Sequence, residues 1–199
     1  MREIADGIWH WSATHPRLGI EVHSTYLPAE RVAIDPLAPP DVLEWLAEHG
    51  PPEHVLLTNR HHYRSSSELV ERCGATVRCV RQGLHEFTHG EAVEPFDFGD
   101  ELPGGIVAYE VDAICPDETA FHIPTRRALA LADGAVRLEP GGPLAFVPDH
   151  LMHDPERTKE GLRAAYRRLA AELDFEHLLL AHGEPFVGNG REALAAFAG

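Results

Sequence analysis

Short apolar runs that end at a polar residue or a turn recur along the whole chain, with helical segments between them. These runs predict strands at 8–11, 20–23, 26–27, 31–35, 55–58, 76–80, 106–111, 119–123, 128–131, 144–147 and 177–181. The apolar spacing predicts helices at 41–49, 66–73, 155–173 and 191–198, and Asp154 is the expected N-cap of the third. Two groups of strands with helices between and after them indicate one layered α/β domain over residues 1–199.

The net charge of the chain limits the kinds of partner that are expected. The chain has 17 Lys and Arg residues against 32 Asp and Glu residues, a formal net charge of −15 at pH 7. A charge of that sign repels phosphate backbones and anionic lipid, so we expect no nucleic-acid and no membrane partner. Three cysteines without CxxC spacing argue against a disulfide framework. No apolar run reaches the length of a membrane span, and a cytoplasmic protein is expected.

Polar residues gather at the ends of four predicted strands. They occupy the segments 58–66, 112–118, 131–134 and 181–184. Functional groups of α/β proteins commonly lie just past strand ends, so these loops are the expected location of a site.

In order and spacing, these features resemble the metallo-β-lactamase-fold hydrolases. The resemblance is carried by Ala-Asp-Gly-Ile-Trp at 5–9, Val-Ala-Ile-Asp-Pro at 32–36 and Ala-His-Gly at 181–183, and it covers nearly the whole chain. It implies an αββα sandwich. It also implies an HxHxDH motif after a strand, followed by a loop His, an Asp and a last His. In that family these side chains bind one or two ions, usually zinc or iron, which activate a water for hydrolysis.

The family motif is only partly kept. Of the seven ligand positions that the resemblance implies, three are retained, by His61, Asp133 and His182. The other four carry different residues, namely Asn59, Tyr63, Arg64 and Ile114.

These replacements change the chemistry that the resemblance implies. Arginine keeps its positive charge and has no lone pair for a metal, and isoleucine offers no ligand atom. The usual two-metal site is therefore not expected to form. In its place we predict a charge-assisted pair between Arg64 and Asp133 that fills the volume of a second ion, with a hydrogen bond from Tyr63.

The sequence leaves three functions open, and with them the question of whether the chain is an enzyme. The first is a degenerate family member without metal-dependent hydrolysis and without a cofactor, which binds a small molecule or a protein partner in the old cleft. The second is a hydrolase with one zinc, iron or manganese ion on His61, Asp133 and His182. The third is a metal-free enzyme in which His61, Tyr63 and Arg64 bind an anionic substrate and transfer protons. The segment 140–147 is compatible with a homodimer edge, and an internal strand accounts for it equally well.

Overall fold

The computed structural model describes residues 1–199 and contains two β-sheets. The first sheet has seven strands in chain order: β1 Arg2–Ala5, β2 Ile8–Thr14, β3 Glu21–Leu27, β4 Val32–Ile34, β5 His54–Leu56, β6 Thr76–Val80 and β7 Val93–Phe96. Strands β1 to β4 pair antiparallel, and β4 to β7 pair parallel. The four parallel strands β4 to β7 therefore have their C-terminal ends at the same edge of the sheet.

The second sheet has five strands in the order β12-β11-β10-β9-β8. Its strands are β8 Glu101–Leu102, β9 Ile106–Glu110, β10 Thr119–Ile123, β11 Ala128–Leu131 and β12 His177–Leu180. Strands β11 and β12 pair parallel, and the other neighbours pair antiparallel.

Four α-helices cover the outer faces of the sheets. Helices α1 Pro40–His49 and α2 Ser66–Cys73 pack on the first sheet, and α3 Pro155–Glu172 and α4 Gly190–Ala198 pack on the second. The predicted cap of α3 is confirmed, because the Asp154 side chain accepts a hydrogen bond from the Arg157 N–H.

Alternating side chains in the strands hold the layers together. In β11, Leu129 and Leu131 face the helices, whereas Ala128 and Ala130 lie between the two sheets. Because successive strand side chains point to opposite faces, one buried strand contributes to two cores. The result is an αββα sandwich, as the family resemblance implies.

The structure corrects several predicted strands. The segment 144–147 is not a strand, since it makes only one isolated bridge, between Ala145 and Val136. Proline at 143 and at 148 brackets this segment, and proline lacks the N–H that a ladder needs. The two runs at 20–23 and 26–27 form one strand, β3. Strands β1, β7 and β8 carry too few apolar residues to be recognised from sequence.

Candidate metal centre

Four segments of the chain meet at one edge of the sandwich. Asp35 follows β4, the segment 58–64 follows β5, Asp133 follows β11, and His182 follows β12. The two sheets are joined here by a backbone hydrogen bond from the His23 N–H to the Ala181 carbonyl, 2.8 Å long. The carboxyl ends of the parallel strands therefore bring residues distant in sequence together, which is where α/β folds place their sites.

A single turn of 3-10 helix, Arg60–His62, decides which side chains reach the site. The Asn59 side chain begins this turn by accepting a hydrogen bond from the His61 N–H, 2.9 Å long. A 3-10 helix has about three residues per turn, so positions 59 and 62 lie on the same side. Both Asn59 and His62 contact Asp133, while His61 is exposed.

His62, Asp133 and His182 form the centre of the site. Asp133 Oδ1 lies 3.1 Å from His62 Nε2 and 3.0 Å from His182 Nε2. Potential ligand atoms of the three residues all lie within 4.8 Å of one another. Despite these short distances, Asp133 Oδ1 is buried and has no aligned hydrogen-bond partner.

This arrangement fits one metal ion. Two imidazole nitrogens lie 3.1 and 3.0 Å from one carboxylate oxygen, as ligand atoms do around a shared ion. Zinc ligands at tetrahedral angles lie about 3.4 Å apart, close to the two distances from Asp133 Oδ1. A buried oxygen without a hydrogen bond is otherwise unfavourable by about 1–3 kcal/mol.

Asp35 fixes the orientation of His62. Its Oδ2 lies 2.9 Å from His62 Nδ1, and its Oδ1 accepts a hydrogen bond from the Thr58 N–H at 2.9 Å. A carboxylate can only accept, so Nδ1 carries a proton and Nε2 turns towards Asp133. A carboxylate behind a histidine is the usual support of a metal-binding imidazole, because it sets the tautomer and raises the basicity of the ligand.

Backbone strain is concentrated in the same place. Asp35 and Arg64 both have the left-handed conformation, with φ of 48° and 45°. Residues with a Cβ adopt this conformation at a cost of about 1–2 kcal/mol, and such strain is common at functional sites.

The charges around His62 are strongly coupled. Burial alone would lower the pKa of His62, but the carboxylates of Asp35 and Asp133 outweigh it and raise that pKa to about 9. Burial would likewise raise the pKa of Asp133, yet His62 and His182 hold it well below its usual value. Without a metal, the structure therefore favours a positively charged His62 between two carboxylates.

A second buried carboxyl group lies behind Asp133. Asn59 Nδ2 donates to Asp133 Oδ2 at 2.9 Å, and the Gly134 N–H donates to Glu118 Oε1 at 2.7 Å. Burial, and next the negative charge of Asp133, raise the pKa of Glu118 to about 8. Asn59 and Glu118 thus hold the Asp133 turn from two sides.

The predicted pair between Arg64 and Asp133 is wrong. The guanidinium of Arg64 donates to the carbonyls of His23 at 2.8 Å and Asp35 at 2.7 Å, with a longer contact to Ala181 at 3.5 Å. The carbonyls of His23 and Asp35 belong to the first sheet, and that of Ala181 belongs to the second. Arg64 therefore joins the sheets behind the site, and Asp133 takes histidine partners instead.

The other predicted site residues are dispersed. His61 lines the cleft but does not belong to the cluster of potential ligands, which contains the neighbouring His62. Tyr63 packs against Phe87, with ring centroids 5.7 Å apart, and makes no hydrogen bond with Asp133. Ile114 lines the cleft. Sequence reasoning missed His62 and Asp35. Asp35 directly follows β4, the strand beside β5, and this position was the available signal for it.

The site opens into a cleft of about 780 Å³. His62, Asp133 and His182 all line it, and the side chains of Asp133 and His182 are 26% and 21% exposed. A cleft of this size is typical of small-molecule sites.

Comparison with known proteins shows the fold. The chain is similar to a protein, TTHA1623, solved in a di-iron-bound form (21% identity, TM-score 0.67, 89% of this chain and 94% of that one). It is also similar to a metallo-β-lactamase from Pontibacter korlensis (14% identity, TM-score 0.71), and the match covers 99% of this chain and 97% of that one. A third similar structure is the rubredoxin oxygen:oxidoreductase from Desulfovibrio gigas (14% identity, TM-score 0.69). The match covers 99% of this chain and 61% of that protein.

The chain has the metallo-β-lactamase fold. At these identities the likeness concerns the fold, and function has to be argued from the site. No protein-family model and no curated protein sequence matches the chain. None of its helices combines the length and the apolar character needed to cross a membrane.

Proposed function

We propose that this protein is a hydrolase with a single metal ion held by His62, Asp133 and His182. The observation that carries the proposal is the convergence of two imidazole nitrogens on one buried carboxylate oxygen that has no aligned hydrogen bond. Two histidines and one carboxylate are a known ligand set of catalytic zinc, and they leave a coordination position open.

Only one ion is expected. Four positions where the family resemblance implies further ligands carry Asn59, Tyr63, Arg64 and Ile114. Arg64 repels a second cation, and its donors are already bound to backbone carbonyls. Asn59 is occupied in holding Asp133.

A bound divalent ion would supply Lewis acidity, lowering the pKa of water and polarising a carbonyl or phosphoryl oxygen. The residues of the chain orient and support that chemistry. Asp35 keeps the proton on His62 Nδ1, so that Nε2 is available as a ligand. Asn59 binds one oxygen of Asp133 and leaves the other free for the ion.

A second candidate is a metal-free protein, either a binding protein or an enzyme. It is favoured by His62 lying between two carboxylates, because a doubly protonated imidazole would satisfy Asp35 and Asp133 together. In this case the cleft would bind a small molecule or a protein partner, and the protein would not catalyse metal-dependent hydrolysis.

Metal content distinguishes the two candidates. Metal-depleted protein without an affinity tag is equilibrated with zinc, iron(II) or manganese, freed of excess ion and analysed by mass spectrometry. We expect about one ion per chain. The His62→Ala variant should retain almost none, whereas the matched control His61→Ala, at the exposed neighbouring residue, should bind as the unchanged protein does.

Two results would contradict the proposal. One is the absence of stoichiometric metal with every ion tested. The other is equal loss of metal in His61→Ala and His62→Ala, which would place the site elsewhere in this turn. If metal binds, a screen of esters, thioesters, lactones and phosphodiesters should find hydrolysis that chelation abolishes and added ion restores.

A further inference from the structure

The two histidines of the candidate centre are supported in different ways. His62 has the carboxylate of Asp35 at its Nδ1, 2.9 Å away. His182 has no protein partner at Nδ1, and its one polar side-chain contact joins Nε2 to Asp133 Oδ1 at 3.0 Å. The direction of the His182 imidazole therefore depends on the backbone of the loop that carries it.

This loop, residues 181–189, joins β12 to α4 and turns sharply at Gly183, which has φ of +112°. Its first residue is hydrogen-bonded to both sheets. Further along, Phe186 exchanges two backbone hydrogen bonds with Leu178, each 2.9 Å long. Between these two anchors, residues 182–185 belong to no strand or helix.

The side chain of Arg137 binds this stretch. One of its terminal nitrogens donates to the carbonyls of Glu184 at 3.3 Å and Pro185 at 3.2 Å. Its Nε donates to the Gly142 carbonyl at 2.8 Å, and the guanidinium carbon lies 4.0 Å from the centre of the Phe186 ring. No other side chain hydrogen-bonds the backbone of the stretch.

Arg137 also connects the segments that carry two of the potential ligands. Its N–H donates to the His182 carbonyl oxygen at 2.9 Å, and it lies four residues after Asp133 in the chain. The backbone of the Asp133 segment and the backbone of the His182 loop are therefore joined through one residue.

We infer that Arg137 is a positioning residue of the candidate metal centre, which fixes the loop so that His182 Nε2 points towards Asp133. Its relation to a metal rests on the proposed function, whereas its effect on the loop requires no ion. Groups that orient metal ligands typically change metal affinity about 10- to 100-fold when they are mutated. Arg137 acts through the loop backbone, so we expect an effect at the lower end of this range.

Zinc affinity, measured in competition with a chelating dye, tests the positioning. Arg137→Met keeps the apolar stem and removes the donors, and it should weaken zinc binding about tenfold. Arg137→Lys keeps a charged donor and should recover part of the affinity. The matched control is Arg163→Met, because Arg163 also lies over a phenylalanine ring, that of Phe146, but binds no carbonyl. It should leave zinc affinity unchanged.

The visible absorption of cobalt(II)-equilibrated protein separates positioning from general stability, since it depends on the arrangement of the ligands around the ion. Arg137→Met should change the absorption bands, and Arg163→Met should not. Thermal unfolding of the same variants without metal measures how much each substitution destabilises the fold.

Hydrogen exchange of metal-depleted protein tests the loop without any ion. In Arg137→Met, the amides of residues 183–188 should exchange about tenfold faster, as expected for the loss of hydrogen bonds from a local segment. The amides of β11 should exchange as they do in the unchanged protein.

Two results would overturn the inference. One is zinc affinity and cobalt absorption in Arg137→Met equal to those of the unchanged protein, which would leave Arg137 a role in stability alone. The other is exchange that rises equally throughout the chain. A failure of the metal proposal is separate, because protein that takes up no ion yet shows the local rise in exchange would refute the metal centre and keep the effect of Arg137 on the loop.

Discussion

Arg64 should contribute to stability, because its guanidinium binds backbone carbonyls of the first sheet and contacts one of the second. In Arg64→Met the apolar stem remains, and the donors to His23 and Asp35 are lost. The Asp35 carbonyl keeps its hydrogen bond from the Ser24 hydroxyl, so the loss falls mainly on the His23 carbonyl, and a buried carbonyl without a partner is unfavourable by about 1–3 kcal/mol. Release of a buried charge offsets part of this. We expect the free energy of unfolding to fall by about 1–2 kcal/mol.

Equilibrium unfolding in urea, followed by circular dichroism, measures this change. The matched control is Arg81→Met, since Arg81 pairs with Asp97 and both side chains are more than half exposed. Such a surface pair contributes about 0–1 kcal/mol, so the control should change little. If Arg64→Met were no more destabilising than Arg81→Met, the stabilising role of the bonds from Arg64 to the carbonyls behind the site would be refuted.

Three further predictions follow from the site. Asp35→Asn should weaken zinc affinity about 10- to 100-fold in a competition assay with a chelating dye, while the circular dichroism spectrum stays unchanged. In metal-depleted protein, the pKa of His62 is raised to about 9 from an ordinary 6.5. Its stabilising contribution is therefore complete below about pH 6.5 and is lost as the pH rises through 9. Urea unfolding should show a fall of at least about 3 kcal/mol between pH 6 and 10, because ionisation of Glu118, whose pKa is raised to about 8, lowers stability in the same window, and a flat profile would contradict the ion pairs. Gly183→Ala should destabilise the protein by about 2–4 kcal/mol, because Gly183 has φ of +112° and a Cβ there would clash with the Arg137 carbonyl oxygen. Thermal unfolding checks this, and an unchanged melting temperature would show that the turn relaxes.

The sequence predicts the layers well because the buried strands carry strong apolar signals. Strands β11 and β12 are almost entirely apolar, and the serine-rich start and glycine end of α2 delimit that helix. The missed strands are short and weakly apolar. Strand β8 has two residues, and β7 contains Glu94 and Pro95. These edge strands form because they pair with a neighbouring strand, and their local sequence alone does not predict them.

The candidate site is partly predictable for the same reason. Asp133 and His182 directly follow buried strands, and the structure brings them together. The choice between His61 and His62 depends instead on backbone geometry. The motif spacing puts His61 in the site, but the Asn59 cap folds the segment into a 3-10 turn that presents His62. The partners of Arg64 are backbone carbonyls of distant strands, which no local pattern reveals.

The central claim is that one ion lies between His62, Asp133 and His182. Anomalous X-ray scattering at the zinc edge, from crystals of zinc-equilibrated protein, tests it most directly because it locates the ion itself. The account predicts one strong peak per chain, in contact with those three side chains and no others from the protein. No peak, two peaks, or a peak away from Asp133 would contradict it.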